Sequence, residues 1–257
     1  MELPLFPLNT VLCPGIALPL HIFEDRYREL VRHCIDSGSP FGIVMIREGR
    51  EVGTGAISFT AIGTVAEIRD AGRDDDGRYD LLVVGTRRFE IRRVLSGRRP
   101  YLVAEVDLLE EELGDPTAAQ QLAMKATRRF VTYLQLLQAR DGETAEEIDV
   151  RVEVETEDDD VGGAAPAPTA RAEEPAGGED APRRRRVTIP DDPTVLSHLL
   201  SGIVQVEAPR RQALLEAAST EARLRELLAL LDRETLLLGR RLRMFRPDAR
   251  LLGSRRS

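Results

Sequence analysis

Lysine is nearly absent from the sequence, and this scarcity excludes two kinds of catalytic site. Arginine supplies 35 of the 36 basic residues, and Lys125 is the single lysine. A P-loop needs a lysine directly after a glycine-rich loop, because the ammonium group must reach the nucleotide phosphates. No such loop precedes Lys125, and its helical surroundings place it on a solvated face, away from any Ser–Lys dyad. We therefore expect neither a P-loop ATPase nor a Ser–Lys protease.

Cysteine and histidine are also scarce, which argues against metal and redox sites. Cys13 and Cys34 are too few for a disulfide framework, and we expect free, buried thiols in a reducing cytoplasm. The three histidines show none of the spacings of zinc ligands. The motifs G-x-S-x-G, H-E-x-x-H, C-x-x-C and G-x-G-x-x-G are missing as well. The sequence thus predicts no catalytic residue, no cofactor and no metal.

Tryptophan is absent and aromatic residues make up only 4% of the chain, so aliphatic side chains must fill the core. Apolar residues reach 42% of the 257 positions, enough for one large domain or two small ones. No apolar run reaches the roughly 18 residues of a membrane span. The start, MELPLFPLN, lacks the basic residues of a signal peptide. We expect a cytoplasmic protein that makes no membrane contact.

Residues 1–112 are predicted to form a β-rich subdomain with one main helix. Apolar residues at helical spacing indicate that helix at 24–37, and Gly38 is expected to end it. Gly63 suggests a bulge, and Gly85 separates two predicted strands. Strands are predicted at 3–6, 17–20, 41–46, 55–68, 79–84, 88–94 and 101–108. Short strands at close spacing favour a small barrel or a folded sheet.

Residues 113–138 and 190–250 are predicted to form a helical subdomain. Asp115 and Asp192 each precede a proline, and this pair of residue types is typical of a helix start. Pro209 and Ser219 indicate the starts of a third, short helix and a fourth, long one. Because the connections between the last three helices are short, we expect a helical bundle.

Between the first two of these helices lies a segment, 139–189, that is predicted to be a disordered acidic insertion. Fifteen acidic residues and only two arginines fall within 141–182, and the segment is rich in glycine, proline and alanine. Such a composition cannot bury enough apolar surface to offset the entropy lost on ordering.

Three arginine doublets, at 87–88, 92–93 and 98–99, raise the possibility of RNA binding. In a strand, however, Arg88 and Arg92 would share a face that points to solvent, while Phe89 and Ile91 would point to the core. An ordinary solvated strand face is the stronger interpretation.

The first 110 residues resemble the N-terminal, substrate-binding domain of the ATP-dependent protease Lon. The segments that carry the resemblance are LPLFPLNTVLCPG at 3–15, LPLHIFEDRYREL at 18–30, PFGIV at 40–44, GTVAEI at 63–68, RYDLLVVGTRRFEI at 78–91 and PYLVAEV at 100–106. The resemblance implies an α+β fold: a PUA-like β pseudo-barrel with one main helix, followed by the helical bundle. A full Lon protease continues into AAA+ ATPase and Ser–Lys protease domains, and neither is expected in this sequence.

The resemblance implies a non-catalytic module that recognises unfolded or tagged polypeptide, or that docks on a separate protease or chaperone. The residues add a hypothesis about the site: Phe6, Phe23, Arg26, Tyr27 and Arg88 could line a groove for an extended apolar peptide. The alternative for the three aromatic residues is simple core packing. RNA binding by the PUA-like half remains the alternative function, and the oligomeric state is left open.

Overall fold

The computed structural model describes residues 1–48, 58–95, 97, 99–141, 149–153 and 186–245. The N-terminal half contains β1 Glu2–Leu8, β2 Ala17–Ile22, α1 Asp25–Ser37, β3 Phe41–Glu48, β4 Ser58–Phe59, β5 Ile62–Arg73, β6 Tyr79–Leu95 and β7 Leu102–Leu108. The C-terminal half contains α2 Pro116–Asp141, β8 Asp149–Glu153, β9 Arg186–Pro190, α3 Pro193–Ile203, α4 Ala208–Glu216 and α5 Thr220–Phe245. Among the described residues, no helix is both long and apolar enough to cross a membrane.

The first strand closes the sheet into a barrel. Neighbouring strands follow the order β1, β7, β6, β5, β3, and β1 also pairs with β3 in parallel, which joins the two ends. Leu5 lies opposite Leu102 of β7 on one side and Gly42 of β3 on the other. Strand β3 is buried from Phe41 to Ile46, as its continuous apolar run predicts. The barrel has β2 attached to β6 and β4 attached to β3.

Strand β6 runs through Gly85 without a break, whereas the sequence predicted two strands on either side of that glycine. A Cβ atom at Gly85 would lie 2.5 Å from the carbonyl oxygen of Cys13, so the glycine permits a close backbone approach. Gly63 acts in the same way, because a Cβ there would lie 2.4 Å from the carbonyl oxygen of Ile43. The register shifts of β5 lie just beyond Gly63, between Thr64 and Ala66 and further along the strand.

Helix α1 packs one face against the barrel. Its buried residues are Tyr27, Leu30, Val31 and Cys34, and it ends at Gly38 in a left-handed conformation with φ of 64°, as predicted. Ile35, which follows the buried Cys34 and has the apolar spacing of a helix face, is exposed at the rim of this face.

The helices of the helical half begin where the local signals predicted. The Asp115 carboxylate accepts a hydrogen bond from the Ala118 N–H at 2.6 Å, and Asp192 accepts from Thr194 and Val195. Helices α2 and α5 run side by side in the same direction, since Asp115 N–H donates to Glu221 near both starts. Further along the pair, Arg129 binds Asp232 at 3.0 Å. Their shared core includes Ala126, Phe130, Tyr133, Leu224, Leu227 and Leu231.

The structure differs from the predicted insertion at both of its ends. Helix α2 continues to Asp141, and β8 and β9 form a separate parallel pair with Asp149 opposite Arg186. Ile189 of β9 is buried against the helical core, so this end of the predicted insertion packs on the helical subdomain. The remaining residues of the predicted insertion, 142–148 and 154–185, lie outside the described residues.

Candidate functional site

Phe6 and Tyr27, two of the five residues predicted to line a peptide groove, lie in the core of the barrel half. Their ring centroids are 4.3 Å apart in an edge-to-face arrangement, and both residues are buried. Phe6 belongs to β1 and Tyr27 to α1, so the pair fixes the helix against the barrel. These rings support the surface above them and are not themselves open to a ligand.

Arg26 lies over the Tyr27 ring of this pair. Its guanidinium carbon lies 4.5 Å from the centroid of the Tyr27 ring, within the range of a cation–π contact. Its Nη2 atom lies 3.1 Å from the carboxylate of Glu24. The structure therefore brings Phe6, Arg26 and Tyr27 together.

Phe23 is open to solvent at the junction between β2 and α1, with 49% of its surface exposed. It stacks on His21, with ring centroids 6.3 Å apart and an angle of 29° between the rings. The His21 ring is in turn held by Asp80, whose Oδ1 lies 2.7 Å from Nδ1. The exposed ring of Phe23 is thus held in place by its neighbour.

Phe23 is one of four exposed residues that share one face of the β2–β6 pair. Pro19, His21 and Phe23 alternate along the chain and so project from the same face. Leu82 of β6 lies directly opposite Pro19 and is also exposed. We name Pro19, His21, Phe23 and Leu82 the β2 surface.

The outer edge of β2 offers main-chain groups next to this surface. Among the described residues β2 pairs with β6 alone. The Gly85 N–H donates to the Ile16 carbonyl oxygen at 3.0 Å, and hydrogen-bonded pairs alternate along an antiparallel ladder. The main-chain groups of Ala17, Pro19 and His21 therefore point away from β6. Since proline has no N–H, this edge presents three carbonyl groups but only the N–H groups of Ala17 and His21.

Arg88, the fifth predicted site residue, has quite different partners. The prediction that it points to solvent is wrong, because only 3% of its surface is exposed. Its Nε and Nη2 atoms donate to the two carboxylate oxygens of Glu111 at 2.6 and 3.2 Å. Its Nη1 atom donates to the carbonyl oxygens of Leu215 and Ala217 at 2.7 and 2.9 Å. Arg88 therefore fastens the barrel to the helical subdomain.

Glu111 is shared by Arg88, Arg223 and His198. Arg223 Nη2 and His198 Nε2 lie 3.1 and 3.3 Å from the same carboxylate oxygen, Oε2. Arg223 is fully buried and also donates to the carbonyl oxygen of Leu214 at 3.1 Å. Guanidinium groups from β6 and α5 thus meet at the C-terminus of α4, where the negative end of the helix dipole favours cations.

The charges of this cluster fix the protonation of its members. Burial alone would raise the pKa of Glu111, but His198, Arg88 and Arg223 outweigh burial and hold that pKa at about 2. Burial lowers the pKa of His198 below its ordinary 6.5, so the ring is neutral at pH 7. At neutral pH the cluster holds one carboxylate and two guanidinium groups.

Sequence reasoning missed Glu111, His198 and Arg223 as interacting residues. Glu111 stands in an EEEL run, where a solvated run of charge is the usual expectation. A usable signal existed for Arg223, which lies four residues before Leu227 on the apolar stripe of α5. A charged residue on a buried stripe implies a buried partner.

A cleft opens between the two subdomains above this cluster. Its volume is about 440 Å³, within the range of ligand pockets. Arg88, Glu111 and His198 form its floor, and Arg87 and Glu110, which are 2.9 Å apart, form an exposed ion pair at its rim. The other lining residues are Pro14, Gly15, Thr86, Leu109, Thr194 and Val195. We name this feature the subdomain cleft.

Neither thiol is suited to nucleophilic chemistry. Burial raises the pKa of Cys13 and of Cys34 to about 11, so both are protonated at neutral pH. Within the described ranges no group of three or more His, Cys, Asp or Glu side chains is arranged to hold a metal ion. What these ranges offer instead is an exposed apolar surface, an open strand edge and a cleft.

A sequence model of one known family matches residues 2–233, which is most of the chain. That family is described as the ATP-dependent protease La (LON) substrate-binding domain. The chain belongs to this family. No ATPase or protease domain is evident in the 257 residues. The resemblance to the Lon substrate-binding domain, which was seen in the first 110 residues, is confirmed. The family match extends well beyond those residues.

Solved structures of Lon N-terminal domains have the same fold. The Lon N-terminal domain protein from Xanthomonas campestris covers 89% of this chain and 98% of its own, with a TM-score of 0.53 and 25% identity. The N-terminal domain of the Mycobacterium avium complex Lon protease covers 90% of this chain and 98% of its own, with a TM-score of 0.57 and 20% identity. The predicted α+β fold, strand-rich first and helical second, is confirmed.

Two curated relatives match a smaller part of this Lon substrate-binding domain. The Lon protease of Flavobacterium johnsoniae is 30% identical over 125 residues, which is 48% of this chain and 15% of the relative. The Lon protease of Anaeromyxobacter dehalogenans is 28% identical over 151 residues, 57% of this chain and 18% of the relative. The matched region thus spans less than a fifth of the length of either protease.

Proposed function

We propose that this Lon substrate-binding domain is a non-catalytic, cytoplasmic module that binds extended segments of unfolded or tagged polypeptide. Membership of a substrate-binding family supports a role in recognition. The single observation that carries the location is the exposed Phe23 beside the open edge of β2. An extended polypeptide has apolar side chains that can pack on Phe23, and main-chain groups that can form hydrogen bonds with the open edge of β2.

The proposed complex combines two kinds of contact. Phe23 and Leu82 supply apolar area, and an exposed aromatic ring is a common anchor of binding energy. The N–H and carbonyl groups of Ala17 and His21 accept the backbone of the ligand, as in other cases of strand addition. These main-chain contacts do not depend on ligand side chains, so they suit a module that must accept many sequences.

Pro19 limits how strongly a ligand can pair. It removes one donor from the middle of the edge, so a bound strand forms an interrupted ladder with the carbonyl group of Pro19 as its only central contact. A proline on an open edge also discourages pairing between copies of the protein. Binding is therefore proposed to be reversible, as transfer of a substrate to a separate protease or chaperone requires.

Phe6, Tyr27 and Arg26 have a supporting part in this proposal. Phe6 and Tyr27 hold the start of α1 in place, and Arg26 closes over the Tyr27 ring at 4.5 Å. Because Phe23 lies two residues before the start of α1, the position of its ring depends on this packing.

The test uses fluorescence anisotropy with dye-labelled, denatured casein. Phe23→Asp is expected to weaken binding about tenfold or more, because a charge replaces an apolar anchor. Leu236→Asp is the matched control, since Leu236 has the same exposed fraction, 49%, but lies on α5. Equal affinities for the wild type and Phe23→Asp would contradict the location. No binding of casein by the wild type would contradict the function.

The RNA alternative has less support from the described arginines. Three arginines of the doublets each bind a carboxylate within 2.9 Å, so these side chains offer little net charge to phosphates. The pairs are Arg87–Glu110, Arg92–Asp107 and Arg93–Glu105. RNA binding would weaken steeply with salt through counterion release, whereas binding through apolar contacts would not. Repeating the titrations with an RNA oligonucleotide and with casein at two salt concentrations separates the two functions.

A further inference from the structure

The subdomain cleft and Phe23 lie at opposite ends of β2. Pro14 and Gly15, which line the cleft, come shortly before β2, and Phe23 directly follows its last residue. Between Gly15 and Phe23 lies β2, whose six residues span about 20 Å in extended conformation. A single extended ligand along β2 could therefore reach both features.

The lining of the cleft suits a neutral ligand. Two arginines, Arg87 and Arg88, face two carboxylates, Glu110 and Glu111, so the formal charges of the lining cancel. Each guanidinium group already binds a carboxylate, at 2.9 and 2.6 Å. A charged ligand group would have to break one of these pairs, whereas an uncharged one would not.

The cleft also presents apolar area that the fold leaves open. Val195, on the first turn of α3, is 52% exposed although its neighbours Leu196 and Leu200 are buried. Pro14 and Leu109 line the same cavity of about 440 Å³. These three residues come from both subdomains, and a cavity between subdomains is a frequent place for a ligand.

One buried polar group at the cleft is without a hydrogen bond. His198 lines the cleft and is only 4% exposed, yet its Nδ1 atom has no hydrogen-bond partner within the described part of the chain. Its Nε2 atom lies 3.3 Å from Glu111 without the alignment of a hydrogen bond. An unsatisfied buried group is costly, and a peptide group entering the cleft is a source of the missing partner.

We propose that the subdomain cleft is a second contact site for the same polypeptide, and that it takes an uncharged apolar side chain together with its flanking peptide groups. The inference rests on the proposed function, because it assumes that the β2 surface binds polypeptide. Its content is a spacing rule: segments bind best when two apolar residues stand about eight positions apart, one for Phe23 and one for Val195.

The test uses labelled peptides of serine, glycine and asparagine that carry either one leucine or two leucines three, eight or eleven positions apart. The peptide with spacing eight is expected to bind at least about tenfold tighter than the peptide with one leucine, because the second contact becomes intramolecular. Val195→Asp should remove this gain and leave the affinity for the single leucine unchanged. Met124→Asp is the matched control, because Met124 is 51% exposed on α2 and does not line the cleft.

A second measurement gives the position directly. A peptide of spacing eight with a photoreactive diazirine analogue in place of one leucine should cross-link to the α3 segment that contains Val195. If peptides with one and with two leucines bind equally well, and Phe23→Asp still loses binding, the cleft is not a second contact site. The proposed function would then remain in place. If none of the peptides binds, both the cleft and the proposed function are contradicted.

Discussion

The Arg88 guanidinium of β6 donates to the carbonyl oxygen of Leu215 at 2.7 Å, across 127 positions of sequence. This hydrogen bond joins a barrel strand to the last turn of α4, and Glu111 completes the contact on the other side of the same guanidinium. Arg88 and Glu111, which form these contacts, also form part of the floor of the subdomain cleft. The stability of the fold and the shape of a candidate site therefore depend on the same side chain.

Replacing Arg88 by methionine should cost about 3–5 kcal/mol of unfolding free energy, because it leaves buried acceptors without their donor. Urea unfolding followed by circular dichroism measures this loss. Arg92→Met is the control, since Arg92 binds Asp107 on the exposed face of the same strand. The control should unfold at the wild-type midpoint. A similar midpoint for both variants would show that the Arg88 contacts do not stabilise the chain.

Acidification should destabilise the fold through Glu111. The pKa of Glu111 is about 2 in the folded chain against an ordinary value of 4.5. Its ionised form therefore stabilises the folded state fully above pH 4.5, and this contribution is lost as the pH falls from 4.5 towards 2. Urea unfolding at stepped pH measures the slope. Glu111→Gln should be less stable at pH 7 and should show a smaller slope in this window. Parallel slopes would contradict the assignment.

Protonation of His198 should cause a separate loss of stability, which begins at a higher pH than the loss caused by Glu111. Because burial lowers its pKa below 6.5, the unfolded chain takes up a proton on this ring before the folded chain does. Stability should therefore begin to fall as the pH drops below 6.5, before Glu111 contributes. The pKa of the His198 ring can be measured by NMR titration, and a value at or above 6.5 in the folded protein would oppose this prediction.

Gly63→Ala should destabilise the barrel by about 2–3 kcal/mol, since the added methyl group has no space. A Cβ there would lie 2.4 Å from the carbonyl oxygen of Ile43 and 2.7 Å from the Phe89 ring. Gly72→Ala in the same strand is the control, because its nearest atom would be 3.8 Å away. That variant should stay within about 0.5 kcal/mol of the wild type. Thermal unfolding of the two variants side by side gives the answer.

Cys13 and Cys34 should resist alkylation in the folded protein. Both are buried, and burial raises the pKa of each thiol to about 11, so little thiolate is present at pH 7. Iodoacetamide labelling followed by mass spectrometry should show modification of both residues only after denaturant is added. Rapid labelling of either residue without denaturant would mean that its surroundings open readily.

Local features of the sequence predicted the fold well. The carboxylates of Asp115 and Asp192 cap their helices as expected, because a cap depends only on residues two or three positions away. The apolar stripe of α1 and its stop at Gly38 are local in the same sense. The burial of Arg88 could not be predicted in this way, because its partners lie 23 to 129 positions away in sequence.

For the candidate site, too, the sequence indicated residue types but not their tertiary contacts. The sequence grouped Phe23 with Phe6 and Tyr27 as a possible groove lining, but it did not separate the exposed Phe23 from the buried Phe6 and Tyr27. Which ring is buried depends on how α1 crosses the barrel, and that is decided by tertiary packing. The role of Phe23 in binding stays a prediction until variants are measured.

The closure of the barrel by β1 also has a consequence for synthesis. Glu2 pairs with Glu105, so the first strand must wait for β7 before both of its edges are covered. At the roughly 5–20 residues per second of translation, that wait is about 5–20 s. Because β3 is synthesised well before β7, β1 can pair along one edge during this interval while its other edge stays open. While it is being synthesised, a protein proposed to bind unfolded segments thus itself exposes an incompletely paired segment.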